Sequence, residues 1–363
     1  MTRAAVAAAL AVLAAAGCSG CGSPTYTVRA GPAIAPPPPL TTTVRALHFG
    51  DFGDPTRQRD AVAAAIARAN ARARFDLAFA AGDDIYECGP DPEVPGAEAC
   101  AFAPDGNTVA PGFAAPADPS FRRAHEDALA PLRGVPIYLA LGNHDVAARG
   151  TCGQPGAKPE ALARLKACLE VAHRSPAWDM PGRHYLVDAG PARFIVIDSN
   201  LAVRDYGGFS LDDEVAFVAA SATEAACGPG RSCFLVGHHP PASAGGHRIE
   251  PAFLARIDRL LAAGGGRIRA FLGGHDHDLQ HLRTAAGLDV LVSGNTARGR
   301  KLERFGSVSP AGAQLLFASV AWGYGVLEVG AGGWRYRFEG DDGAPRHCCV
   351  ARGTGPCEPT ECQ

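Results

Sequence analysis

The 363-residue sequence predicts an α/β fold, and three observations carry that prediction. Short apolar runs end again and again in polar turns that contain glycine. Helical patterns rich in Ala, Leu and Arg lie between many of those runs. Hydrophobic residues make up 47% of the chain and charged residues 20%, which is too apolar for general disorder and ample for a large core. The formal charge of -3 gives no sign of a nucleic-acid or acidic-surface binder. No apolar run in the body of the chain is long enough to span a bilayer as a helix.

Taken in order, the pattern predicts a strand over 44–49, a helix over 60–74 and a strand over 75–80. A long insertion, 87–119, follows, rich in Pro, Gly and Ala. Strands are then expected over 137–141, 194–197, 234–236 and 268–272, with helices over 159–171, 211–225 and 251–262 between them. The late segments 289–293, 314–320, 325–329 and 334–338 read as strands with no helix between, so a second or mixed sheet is expected. There is no internal repeat.

Residues 1–17 carry an early Arg3, an apolar stretch and then small residues, which is the pattern of a secretory signal peptide. Ala15-Ala16-Gly17-Cys18 resembles the lipobox of bacterial lipoproteins, although Ala15 stands where Leu, Val or Ile is usual. The resemblance implies acylation of Cys18; ordinary cleavage near 14–16 is the alternative. The chain is therefore expected in the periplasm or at the cell surface, touching a membrane only through a lipid. Residues 18–43, with Pro36-Pro37-Pro38-Pro39, read as an extended tether without fold. A domain over 44–340 and a Cys-rich tail over 341–363 complete the division.

Twelve cysteines fit an oxidising compartment better than a metal ribbon, because no second C-x2-C half-site follows at zinc-ribbon distance. Pairing of near neighbours is expected: Cys88 with Cys100, Cys152 with Cys168, and Cys227 with Cys233. The first of these would pin the long insertion. Vicinal Cys348 and Cys349 are expected to bond to different partners. The tail reads equally as a stapled cap or as an interaction element.

Chemistry gathers at strand ends, where open α/β sheets place ligands. Five signatures occur in order: Gly50-Asp51-Phe52-Gly53, Gly82-Asp83-Asp84-Ile85-Tyr86, Gly142-Asn143-His144-Asp145, Gly237-His238-His239 and Gly274-His275-Asp276-His277. Alone, a Gly-Asp at a strand end is a turn or a cap. A lone His-x-His is chance or a single zinc site, and Tyr86 is a packing residue. Together they form a mixed N/O donor set suited to transition metals.

The ordered set resembles the calcineurin-like metallophosphoesterases, in particular the small, tartrate-resistant branch of the purple acid phosphatases. The resemblance runs over 44–338 and implies a four-layer α-β-β-α sandwich with two mixed sheets. Many relatives begin with Asp-x-His, whose His is a metal ligand. Here that position is Gly53, and Tyr86, three residues after Asp83, stands in for it. By the resemblance, Asp51, Asp83, Tyr86 and His277 would hold Fe(III). Asp83, Asn143, His238 and His275 would hold a divalent ion, Fe, Zn or Mn. A phenolate is a hard anionic donor that favours the trivalent ion. His144 and His247 would act on phosphate or on the leaving oxygen. Asp145 and Asp276 would orient neighbouring imidazoles, and His239 occupies a position where the branch usually carries Tyr.

Three functions follow. The first is an exported acid phosphomonoesterase that hydrolyses small phosphate esters with a hydroxide held at an Fe(III)–M(II) pair. The second is a phosphodiesterase or nucleotide hydrolase with the same centre. The third is a non-catalytic surface lipoprotein on this scaffold, for which loss of ligands would be the mark. All seven ligand positions are filled.

Overall fold

The computed structural model describes residues 26–30, 43–300 and 308–362. The expected signal peptide and Cys18 lie outside the described residues. Two mixed sheets face each other. The first runs edge to edge as Glu358–Thr360, Pro345–Arg352, Gly333–Gly340, Gly323–Gly330, Val44–Phe49, Leu77–Ala80, Ile137–Leu139, Trp178–Asp179 and Arg174–Ser175. The second runs Tyr26–Ala30, Tyr185–Ala189, Ala192–Val196, Ser232–Val236, Ile268–Gly273, Asp289–Ser293, Leu279–Arg283 and Gln314–Ser319. In each sheet a parallel centre is flanked by antiparallel strands.

The sheets interlock through aromatic rings. Phe79 of the first meets Phe194 of the second at 4.4 Å, and Trp334 meets Phe234 at 5.5 Å. Each such ring stabilises the core by about 1.5–3 kcal/mol through burial. Helices cover the outer faces. Arg57–Arg72 buries Val62, Ile66 and Ala69, and it begins three residues before the predicted start because the Thr56 side chain caps the Arg59 amide. Leu211–Ser221 and Pro251–Ala263 pack on each other over the second sheet, with Phe217 stacked on His184 beside the strand Tyr185–Ala189. The helix expected over 211–225 breaks at Ala222 and resumes as Glu224–Cys227.

Three expectations need correction. The long insertion is not closed on itself: Cys88 bonds Cys152 and Cys100 bonds Cys168, across 64 and 68 residues. Only Cys227–Cys233 pairs neighbours as expected. In a chain-entropy treatment each long bridge contributes about 4 kcal/mol. Within the segment expected to lack fold, Tyr26–Ala30 is an edge strand paired antiparallel with Tyr185–Ala189. The tail is part of the first sheet, since Pro345–Arg352 pairs with Gly333–Gly340 and with Glu358–Thr360. The vicinal cysteines do take different partners, Cys348 with Cys362 and Cys349 with Cys357.

Candidate metal centre

Five parallel strands, three from the first sheet and two from the second, end at one place. Each hands the chain to a Gly-containing turn that carries the polar residue read from the sequence. Among the described residues only Asp51, Asp83 and His275 have positive φ without being glycine, at 55°, 56° and 72°. Such left-handed residues cost about 1–3 kcal/mol each and cluster where structure over-determines them. Here the restraints are explicit. Asp51 N donates to Gly82 O at 2.9 Å, His275 N donates to Asp51 Oδ2 at 2.8 Å, and His144 N donates to Asp83 Oδ1 at 2.9 Å.

The seven predicted ligands converge in two groups that share Asp83. In the oxygen-rich group, the Tyr86 hydroxyl lies 3.0 Å from Asp51 Oδ1, 2.9 Å from Asp83 Oδ2 and 3.2 Å from His277 Nε2. In the nitrogen-rich group, His238 Nε2 lies 3.1 Å from Asn143 Oδ1, 3.2 Å from His275 Nδ1 and 3.4 Å from Asp83 Oδ1. His238 donates its Nδ1–H to the Ala81 carbonyl at 2.8 Å, so a neutral His238, the form that binds a cation, turns its Nε2 lone pair toward His275. Acceptors packed this closely with so few protons fit cations. The donors also differ in kind: carboxylates and a phenol on one side, imidazoles and an amide on the other. Burial, with the Asp51 and Asp83 carboxylates, holds the Tyr86 phenol well above its ordinary pKa, so its ionisation calls for a positive charge in the same pocket.

Gly53 has a steric reason. A Cβ there would fall against the Asp84 carbonyl, 2.5 Å from its oxygen and from the Ile85 amide. The backbone carrying Tyr86 occupies the space a side chain at 53 would need.

The remaining predicted residues separate. His144 gives Nδ1 to the Glu87 carbonyl at 2.7 Å, and its ring lies 4.5 Å from that of Tyr86. His247 stacks on His275 at 3.9 Å and faces Asp276 Oδ1 at 3.2 Å, as expected of Asp276. Asp145 departs from expectation. It orients no imidazole but accepts the amides of Asp83, Asp84, Ile85 and Gly142 at 2.7–3.1 Å, tying two ligand turns together. His239 packs against His275 and shares Ser199 Oγ with the His238 amide; burial and then His238 hold its pKa well below the ordinary value.

Sequence reasoning missed Arg298 and Arg300. Arg298 lies 4.0 Å over the Tyr86 ring and is held by Asp54 at 2.7 Å and by Glu87. Arg300 touches His247. Both lie on the segment that follows the strand Asp289–Ser293 and its Gly294, five and seven residues past the strand end and so beyond the reach of the strand-end signature. A second buried cluster, Asp84, Glu170 and His125 beside Asp145, was also missed.

The Calcineurin-like phosphoesterase family model matches residues 44–279. The chain is 26% identical over 202 residues to tartrate-resistant acid phosphatase type 5 of Rattus norvegicus, covering 49% of this chain and 54% of that protein. It thus spans about half the length of that relative. In fold it is similar to the purple acid phosphatase PPD1 from yellow lupin (Lupinus luteus) seeds, with a TM-score of 0.59, 15% identity and coverage of 88% and 55%. It is also similar to GAP50, the anchor in the inner membrane complex of Plasmodium, with a TM-score of 0.60, 15% identity and coverage of 86% and 90%.

Proposed function

Since the chain belongs to the calcineurin-like phosphoesterase family, we propose that it is a two-metal hydrolase of small phosphate monoesters, with Fe(III) in the oxygen-rich group and Fe, Zn or Mn in the other. One observation carries the reading: the Tyr86 hydroxyl sits 2.9–3.2 Å from three other donors, in the group that shares Asp83 with the imidazole set. A hard anionic oxygen set favours the trivalent ion. When bound, the cation pair supplies Lewis acidity toward phosphoryl oxygens and water, and a trivalent member does so at lower pH than two divalent ions.

The chain's own residues do the rest. Asp83 spans the two groups with its two oxygens and sets their spacing. His238 is locked in one tautomer by Ala81, and Asp51 fixes the His275 turn through its amide. His144 has Nδ1 committed to Glu87, which leaves Nε2 to carry a proton to the leaving oxygen. Fold alone does not decide activity. The filled donor set is what favours hydrolysis. Export, with a lipid on Cys18, is part of the proposal; five disulfides suit an oxidising compartment.

The purified protein is expected to show broad visible absorption from charge transfer between Tyr86 and Fe(III), and Tyr86→Phe to abolish it. A colourless protein holding two divalent ions overturns the ferric assignment. Monoesters and diesters assayed across pH then separate an acid phosphomonoesterase from a diesterase.

A further inference from the structure

Two arginines leave the strand Asp289–Ser293 two residues apart and meet opposite surroundings. Arg298 lies between the carboxylates of Asp54 and Glu87, so its charge is already answered. Arg300 forms no ion pair among the described residues. Its Nη2 donates to His247 Nε2 at 2.8 Å, its backbone amide donates to the carbonyl of the ligand His277, and its Nε is buried without a hydrogen-bond partner. A guanidinium has five N–H donors, and among the described residues only Nη2 has a side-chain hydrogen-bond partner.

His247 explains how this cation is held. Arginine can only donate and an ionised carboxylate can only accept. Asp276 Oδ1 lies 3.2 Å from Nδ1, and Arg300 Nη2 lies 2.8 Å from Nε2 and 3.4 Å from Nδ1, so the guanidinium lies across the face of the ring while the carboxylate holds its Nδ1 side. The ring is stacked on His275 at 3.9 Å, and its own amide donates to Asp276. Two glycines make room. A Cβ on Gly246 would lie 2.6 Å from Arg300 Nη1, and one on Gly245 would lie 2.6 Å from the Asp276 carboxyl carbon.

We propose that Arg300 binds a phosphoryl oxyanion of the substrate, and that His247 is the positioning residue that presents it rather than the proton donor. The proposal rests on the phosphohydrolase reading above and adds a contact to it. Planar, multidentate donors suit phosphate oxygens, and Arg300, which feels the buried Asp278 carboxyl but forms no ion pair among the described residues, keeps donors open for that task. The oxyanion could belong to the reacting phosphoryl group or to a second phosphoryl group on the same substrate.

The test uses the metal-loaded full chain and the variants Arg300→Ala, Arg300→Lys and His247→Ala, each checked for metal content and thermal midpoint. Inorganic phosphate binding is followed by calorimetry; turnover is measured on 4-nitrophenyl phosphate, with one phosphoryl group, and on ADP, with two. Arg300→Ala is expected to weaken phosphate binding about 10- to 100-fold, the usual loss for a charged hydrogen bond. The loss should fall on KM rather than kcat, Arg300→Lys should recover most of it, and His247→Ala should share it. Weakening toward phosphate and both substrates assigns the reacting group; weakening toward ADP alone assigns the second. All constants within two-fold of the parent, with metal retained, overturn the proposal. A parent that binds phosphate no better than buffer overturns the phosphohydrolase reading and this contact with it.

Discussion

Two buried clusters of acids and imidazoles lie back to back behind the same turns, and the chain passes from one to the other in a single step. Asp83 belongs to the metal centre, and Asp84, the next residue, faces Asp145, Glu170 and His125. In the centre, the donor residues are braced by hydrogen bonds of their own: His238 Nδ1 to Ala81, Asp51 Oδ2 from the His275 amide, Asp83 Oδ1 from the His144 amide. In the sealed cluster, both oxygens of Asp84, both of Glu170 and both nitrogens of His125 lack hydrogen-bond geometry. The same residue types therefore do different things. Donors braced from behind are arranged to receive charge from outside. Acids enclosed without partners shed their own charge instead. Burial and then the Asp83 charge push the Asp84 carboxyl well up; burial and then Asp145 do the same to Glu170. Burial pulls His125 down to about 3. Asp145 joins the two: its oxygens accept four amide hydrogens from the ligand turns, while burial and then the Asp84 charge push its carboxyl well up.

The sharpest way to break this comparison is to change the two adjacent aspartates separately. Asp83→Ala removes the atom pair that both metal groups share. It is expected to lose both ions and to lower aryl phosphate turnover on the order of 10³-fold or more. Asp84→Asn should keep both ions, as read by elemental analysis of the purified variants. If Asp84→Asn also sheds its metals, the clusters act as one and the distinction fails. Smaller in effect is Asp145→Ala, which leaves four amides without an acceptor. It should cost about 3 kcal/mol or more of stability and about 10- to 100-fold in turnover, as when groups behind a ligand are removed. Denaturant titration and steady-state kinetics read the two numbers. Full activity in a destabilised protein would mean that Asp145 holds the fold and not the ligands.

The convergence of these side chains was legible because each lies within a few residues of the end of an apolar strand, so a local signal of strand, Gly and polar residue locates it. Tyr86 could be placed by its spacing from Asp83. The sealed cluster was not legible. Glu170 lies inside the helix Pro159–Ala172, where a glutamate ordinarily marks the solvent face, yet it is fully buried. The strand Leu279–Arg283 hid for a similar reason. Its polar His281 and Arg283 are satisfied by Asp289 on the neighbouring strand and by His347, Cys357 and Glu358 from the far end of the chain. The two long disulfides join segments more than sixty residues apart, a separation that spacing arguments do not reach. What depends on neighbours along the chain could be read; what depends on neighbours across the sheets could not.

The finest test of the sealed cluster is the pH dependence of Glu170→Gln. The folded pKa of Glu170 lies well above its ordinary value of 4.5 because burial comes first and the neighbouring acid second. An acid with a raised folded pKa is bound to its proton more tightly in the folded state. Its contribution to stability is fully present below the unfolded value and is lost as pH rises through the folded one. While Glu170 is protonated in the folded chain and ionised in the unfolded one, that loss is about 1.4 kcal/mol per pH unit. Glutamine keeps the shape and a donor but has no proton to lose. Glu170→Gln should therefore unfold near the parent at pH 4.5 and gain on it as pH rises above that value until the folded Glu170 itself ionises, as measured by urea titration at each pH. Turnover at any one pH should stay near that of the parent. A variant less stable than the parent at pH 7 would mean that Glu170 is charged and answered by a cation, and the two clusters would then share one design.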